Sequence, residues 1–130
     1  MYSGQVAGHM RQLILAGQMA NWILEHSDGV TFTDLVERFP EAIGEHTLAL
    51  GDLPNVVLWS KLSFMAREAI ASLINDGYIT AKVVPAARYP KGSGPQLPAL
   101  RAVPQSSPDM PMWCPVAWFA IPSAFEDDAA

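Results

Sequence analysis

The chain is poor in cysteine, in charge and in long apolar runs, and each shortage excludes a class of protein. Cys114 is the single cysteine in 130 residues. No intrachain disulfide can form, and a reducing compartment, most simply the cytoplasm, is expected. Charged residues make up 16% of the chain against 50% hydrophobic, a balance that supports a packed core and excludes global disorder. No apolar run approaches the ~18–20 residues that a membrane span requires. The N-terminus has no basic stretch leading into an apolar run and a small-residue cleavage site, so neither a membrane span nor a secretory signal is expected. The histidines, His9, His26 and His46, are scattered without ligand spacing or a cysteine cluster, and no metal or other cofactor is expected.

Basic residues are scarce as well. The eight Lys and Arg face 13 acids, for a net charge of −5, which disfavours a broad non-specific binder of nucleic acid. Their distribution carries more information than their sum. Lys61, Arg67, Lys82, Arg88, Lys91 and Arg101 lie within 59–101 against only Glu68 and Asp76, a local charge of +4 on a chain whose flanks, 1–58 and 102–130, carry −5 and −4. Such an asymmetry suits one face turned toward a polyanion.

The length fits a single domain. Gly8-His9-Met10 resembles a cloning scar, so 1–10 is set aside as a flexible N-terminal segment without function. A first helix is expected from about Gln5 to His26, with Val6, Met10, Leu13, Ile14, Gly17, Ala20 and Leu24 as one apolar stripe, stopped by Ser27-Asp28-Gly29. Val30-Thr31 is extended. Either Thr31 with Asp34, or Thr33 alone, caps a second short helix that buries Phe32, Leu35, Val36 and Phe39 and ends at Pro40. Between Glu41 and Leu58 the signals are mixed: Glu45–Leu50 is able to add a helical turn, Gly51-Asp52 and Pro54-Asn55 are turn signals, and Val56–Trp59 is a buried run of either type.

A third helix is better marked. Ser60 and Ser63 are its two candidate N-caps. Leu62, Ala66, Ala69, Ile70 and Leu73 form its buried stripe, while Phe64, Arg67, Glu68, Ala71 and Asn75 face outward. Gly77 ends it, and Tyr78–Val84 reads as a strand. Eight prolines in 85–115 exclude a helix or a central strand there. The segment 85–112 reads as a long, partly ordered loop, Trp113–Ile121 as the returning strand, and 122–130 as a short acidic tail.

No catalytic residue is expected. Ser93 in Gly92-Ser93-Gly94 lacks the strand-turn-helix setting of a nucleophile elbow, and that glycine pair is too short for a phosphate loop. Cys114 reads as a buried, inert thiol, and Glu41 with Glu45 as a solvated acidic face.

The order helix, short strand, helix, helix, strand, loop, strand resembles the winged helix-turn-helix superfamily. The closest part is Leu62-Ser63 through Asp76-Gly77-Tyr78-Ile79, a serine-capped, alanine-rich helix followed by a glycine and an aliphatic strand start. The resemblance spans 11–121 and departs from the pattern in an insertion of roughly twenty residues where the helix pair ordinarily has a few, and in the length of its wing. It implies an α+β domain with three main helices, a small antiparallel sheet and a long proline-rich wing at 85–112. It also implies that the third helix enters the major groove of double-stranded DNA, in a transcriptional regulator acting as a dimer. The DNA-binding candidates are then Lys61, Ser63, Phe64 and Arg67 at the helix, and Lys82, Arg88, Lys91 and Arg101 along the wing. Arg67 suits a guanine edge, the lysines and Arg88 suit phosphates, and Ser63 suits a phosphate at the helix N-terminus. The alternative is a winged-helix protein-interaction module, an adaptor or inhibitor of a macromolecular complex. Its patch would be built from Phe64, Met65 and Trp113, with Trp59, Trp118, Met110 and Met112 nearby.

Overall fold

Local chemistry fixes where each helix starts and stops. The computed structural model describes residues 2–126, with side chains from Gly8 onward. Helix α1 runs Tyr2–Glu25, and the chain turns at Gly29, which takes φ +93°. Strand β1 (Val30–Thr31) leads straight into α2 (Phe32–Arg38). Of the two caps the sequence allows, Thr31 with Asp34 is used. Asp34 N donates to Thr31 Oγ1 at 3.2 Å and Thr31 N donates to Asp34 Oδ2 at 3.1 Å, a reciprocal capping box. Helix α3 (Phe64–Asn75) begins at Ser63, whose Oγ accepts from Ala66 N at 3.1 Å. It ends with Tyr78 N donating to Leu73 O at 2.9 Å and Gly77 N to Ile74 O at 3.1 Å. Gly77, at φ +78°, makes that reversal possible.

The helical turn expected over Glu45–Leu50 is a strand. After a 3-10 turn at Pro40–Ala42, β2 (Ile43–Leu50) and β3 (Leu53–Leu62) form an antiparallel hairpin joined by Gly51-Asp52. Ser60 therefore lies inside a strand and caps nothing. Val56–Trp59 is buried throughout because β3 is the central strand of its sheet, bonded to β2 on one side and to β5 (Met112–Trp113) on the other.

Trp113–Ile121, expected as one returning strand, is divided between two sheets. Met112 and Trp113 pair in parallel with Val56 and Val57, whereas β6 (Val116–Ala120) pairs antiparallel with β1 and with β4 (Ile79–Val83). The crossing falls at Cys114-Pro115. Cys114 N donates to Val57 O at 2.8 Å in one sheet, and Val84 N donates to Pro115 O at 3.0 Å beside the other. Proline has no N–H to give to a ladder, so a single strand cannot run through. Among the described residues the result is an α+β fold of three α-helices and two three-stranded sheets, ordered β1-β6-β4 and β2-β3-β5. The first is the antiparallel sheet expected from the sequence; the second was not foreseen.

The stripe expected on α1 is mostly not the buried one. Leu15, Met19, Ala20 and Ile23 face the core, while Met10, Leu13, Ile14 and Leu24 are exposed; Val6 lies outside the residues whose side chains are described. Helix α1 packs on α3 and β6, and α3 also packs on β2. An aromatic cluster joins the two sheets. Phe32 stacks on Trp59 of β3 at 5.3 Å and meets Trp118 of β6 edge-on at 5.5 Å. Tyr89 stacks on Trp59 at 5.5 Å and meets Trp113 edge-on at 5.1 Å.

Tyr89 also ties the proline-rich segment to the body. Its buried hydroxyl accepts from Phe32 N at 3.1 Å and donates to Val116 O at 2.6 Å. Further along, Leu100 N donates to Trp113 O, Trp113 N to Pro98 O, and Asn55 Nδ2 to Pro108 O. At the C-terminus a 3-10 turn, Pro122–Phe125, brings Phe125 edge-on to Tyr78; residues 127–130 of the acidic tail lie outside the described residues. Among the described residues no helix is long and apolar enough to cross a membrane.

Candidate nucleic-acid interface

The outward face of α3 is assembled from the helix and from the hairpin that delivers the chain to it. A Cβ on Gly44 would lie 2.5 Å from Ser63 Cα, so only glycine lets β2 press against the helix cap. Ser63 N donates to Ala42 O at 2.7 Å and holds the same corner from below. Two residues further along β2, the His46 ring meets Phe64 edge-on at 5.5 Å. Phe64 is 53% exposed, and the Arg67 guanidinium lies 5.2 Å above the centroid of its ring. Arg67 Nε is also 3.5 Å from Glu68 Oε2, with 31% of the Arg67 side chain exposed. Arg67 is thus braced on two sides, held extended across an aromatic surface rather than swinging freely.

Lys61 is exposed at the end of β3, just before the cap. Ser63 spends its hydroxyl oxygen on Ala66 N. The hydroxyl proton remains free to donate. Around the helix start, Lys61 and Arg67 are matched by Glu45 and Glu68, so the local charge is close to balanced. The +4 read from 59–101 resides mainly along the proline-rich segment and β4.

There the cations are held at separate places. Lys82 Nζ lies 4.6 Å above the Phe119 ring on the β1-β6-β4 sheet. Arg88 donates from Nη2 to Asp28 O at 2.8 Å and to Gly29 O at 3.3 Å, which fastens the segment to the loop after α1. Lys91 lines a 470 Å³ cleft beside Tyr89 and Trp113. Arg101 lines another, of 550 Å³, against Val83–Ala86. All four remain exposed. The structure therefore gathers Phe64 and Arg67 with Lys61 close in sequence, and distributes the expected wing residues over a wider surface.

The alternative patch is dismantled by burial. Trp113 is buried in β5, and Trp59 and Trp118 are buried beside it. Met65 is half-buried against the core. The three tryptophans offer no side chain to a partner and Met65 and Met112 only part of theirs, so of that set Phe64 and Met110 are the exposed members. His46 and Ile43 take their place beside Phe64, Ile43 being 58% exposed. Sequence reasoning passed over both because it left 43–50 without a strand. The signal that locates them is Gly51-Asp52, a two-residue hairpin turn between two runs rich in apolar residues.

Burial pushes the Cys114 thiol up, away from the thiolate a nucleophile needs. Among the described residues no three His, Cys, Asp or Glu side chains converge as metal ligands. No known family model, curated protein or solved structure matches the chain.

Proposed function

We propose that the chain is a winged-helix protein that binds double-stranded DNA through α3, acting as a dimer in transcriptional control. The observation that carries this reading is the sheet order β1-β6-β4. The short strand after α1 pairs with β6, β6 pairs in turn with β4 before the proline-rich segment, and α3 leads into that sheet through Gly77. That order supports the resemblance, with α3 taken as the groove-entering helix and the proline-rich segment 85–112 as the wing. Half-buried Arg67, set against Phe64, suits a base edge, and the exposed Lys61, Lys82, Lys91 and Arg101 suit phosphates.

A mobility shift on duplex fragments at low and moderate salt tests this. Retention at low salt that weakens steeply with added salt is expected. Arg67→Ala should cost about 1–3 kcal/mol of binding, and Lys91→Ala should lower the salt slope by about one. Absence of retention at low salt sinks the reading.

A second reading is favoured by Ile43, His46 and Phe64, an exposed apolar and aromatic cluster beside near-balanced charge. On that view α3 and β2 dock a protein partner. It expects binding with little salt dependence and the largest loss at Phe64→Ala.

A further inference from the structure

Over residues 8–14, α1 is regular helix that buries none of its side chains, and burial begins only at Leu15. Met10, Leu13 and Ile14 are 51%, 51% and 53% exposed. With Gly17 they fall at the i, i+3, i+4, i+7 spacing of one helical stripe, separate from the Leu15–Met19–Ile23 face turned to the core. Gly17 costs about 1 kcal/mol relative to alanine in a helix interior. Nothing within its own chain requires it, because a Cβ there would meet no atom within 4 Å. The stripe runs into a 320 Å³ groove between α1, α3 and the C-terminal turn, whose lining includes Leu13, Ala16, Gly17, Ala20, Tyr78 and Phe125.

We propose that this face is where a second copy of the chain docks, the two α1 helices crossing antiparallel about a two-fold axis near Leu13–Gly17. Shape and charge both point to a second copy. The stripe is bulky at Met10, Leu13 and Ile14, then small at the half-buried Ala16 and the exposed Gly17. Antiparallel pairing sets the bulky part of each helix over the small part of the other, and both contacts form at once in an isologous interface. Gly17 then lets the two backbones approach closely. The charge argument is equally specific. Each copy carries −5, so two copies repel over most of their surface. Glu25 is the first acid in the sequence and Arg11 the only Lys or Arg before it, and Asp76 is the one charged residue lining the adjoining groove, so like copies meet at α1 with little repulsion. A basic partner would instead seek Asp34, Glu37 and Glu41, exposed on and after α2.

The inference gives a surface to the dimer proposed above but uses no DNA contact. Sedimentation equilibrium of the full chain without DNA tests it, so its failure leaves the mobility-shift result standing. The wild-type chain is expected to be a dimer at micromolar concentration. Ile14→Glu should raise the dissociation constant about thirtyfold or more, as at the centre of an interface, with its helical circular dichroism retained. Ile43→Glu, on the exposed β2 patch, should leave the dimer intact. If Ile14→Glu does not fold, Leu13→Gln must give the same dissociation. A wild-type monomer throughout the micromolar range overturns the proposal, and so does a dimer that folded Ile14→Glu or Leu13→Gln leaves unchanged, or one that Ile43→Glu dissociates.

Discussion

The first half of α1 and the segment between β4 and β5 are opposites. One is uninterrupted helix with no buried side chain from Gly8 to Ile14; the other has almost no regular structure and is fastened to the body at several points. The difference lies in where backbone hydrogen bonds go. A helix satisfies its own N–H and C=O groups and is free to project from the body. An irregular, proline-rich stretch cannot, and borrows partners: Tyr89 bridges Phe32 and Val116, Leu100 and Pro98 bond Trp113, and Asn55 bonds Pro108. Regularity and anchorage are thus separate properties, and in this molecule they run in opposite directions.

Substitutions at three positions press on that contrast. The largest effect is expected at the anchor itself. Trp113→Ala should destabilise the fold by about 3–5 kcal/mol, the cost of emptying a large aromatic site, read as a lowered urea midpoint. Trp113→Phe should cost much less, because the buried Nε1–H it removes has no hydrogen-bond partner. A loss near zero for Trp113→Ala would mean that the segment is not packed as described.

Tyr89→Phe comes next. It leaves Phe32 N and Val116 O unpaired in a buried place, at about 1–3 kcal/mol. Burial also holds the Tyr89 hydroxyl well above its ordinary value of 10.0. The folded chain keeps a proton that the unfolded chain releases, so this contribution is complete below the ordinary value and declines as pH rises beyond it. The Cys114 thiol, pushed up by burial, adds a decline of the same sign that begins at lower pH. Chemical denaturation from neutral to strongly alkaline pH should show stability falling, and Tyr89→Phe should flatten the upper part of that fall. A curve identical in the two proteins would remove Tyr89 from the account.

The smallest effect belongs to α1. Compared with dilute, dissociated wild type, Ile14→Glu should change unfolding free energy by no more than about 0.5 kcal/mol, as at an unpacked surface site. A loss of several times that would show that residues 8–14 are held by the body after all, and would erase the contrast.

How much of this was legible in the sequence differs from element to element. Caps and stops were read well because they depend on a few neighbouring residues: Thr31 with Asp34, Ser63, Gly29 and Gly77 each act within one turn of chain. Where a choice was left open, as between Ser60 and Ser63, the answer depended on β3 running to Leu62, a fact of pairing rather than propensity. The α1 stripe was misjudged because that helix carries two apolar faces of equal helical period. Periodicity alone cannot say which one meets the core. Trp113–Ile121 looked like one strand because its composition is uniform, and only Pro115 hinted at the division. Of the site residues, Arg67 and Phe64 were legible from helical phase. His46 and Ile43 were not, since their position requires the β2–β3 register. Trp113 and Met65 belonged to the alternative patch, whereas distant partners bury the first and half-bury the second.

The crossing at Cys114-Pro115 has a consequence for the chain as two pieces. Both β5 and β6 lie beyond the exposed stretch around Val103, yet each is bonded only to strands that precede it, β6 between β1 and β4 and β5 beside β3. A protease cutting near Ala102-Val103 severs the covalent link while leaving every one of those ladders in place. The nicked molecule should migrate as two bands under denaturing conditions and as one particle under native ones, with the C-terminal fragment serving as an inserted strand. Separated, neither fragment holds a complete version of either sheet, so each should regain structure only when the other is added back.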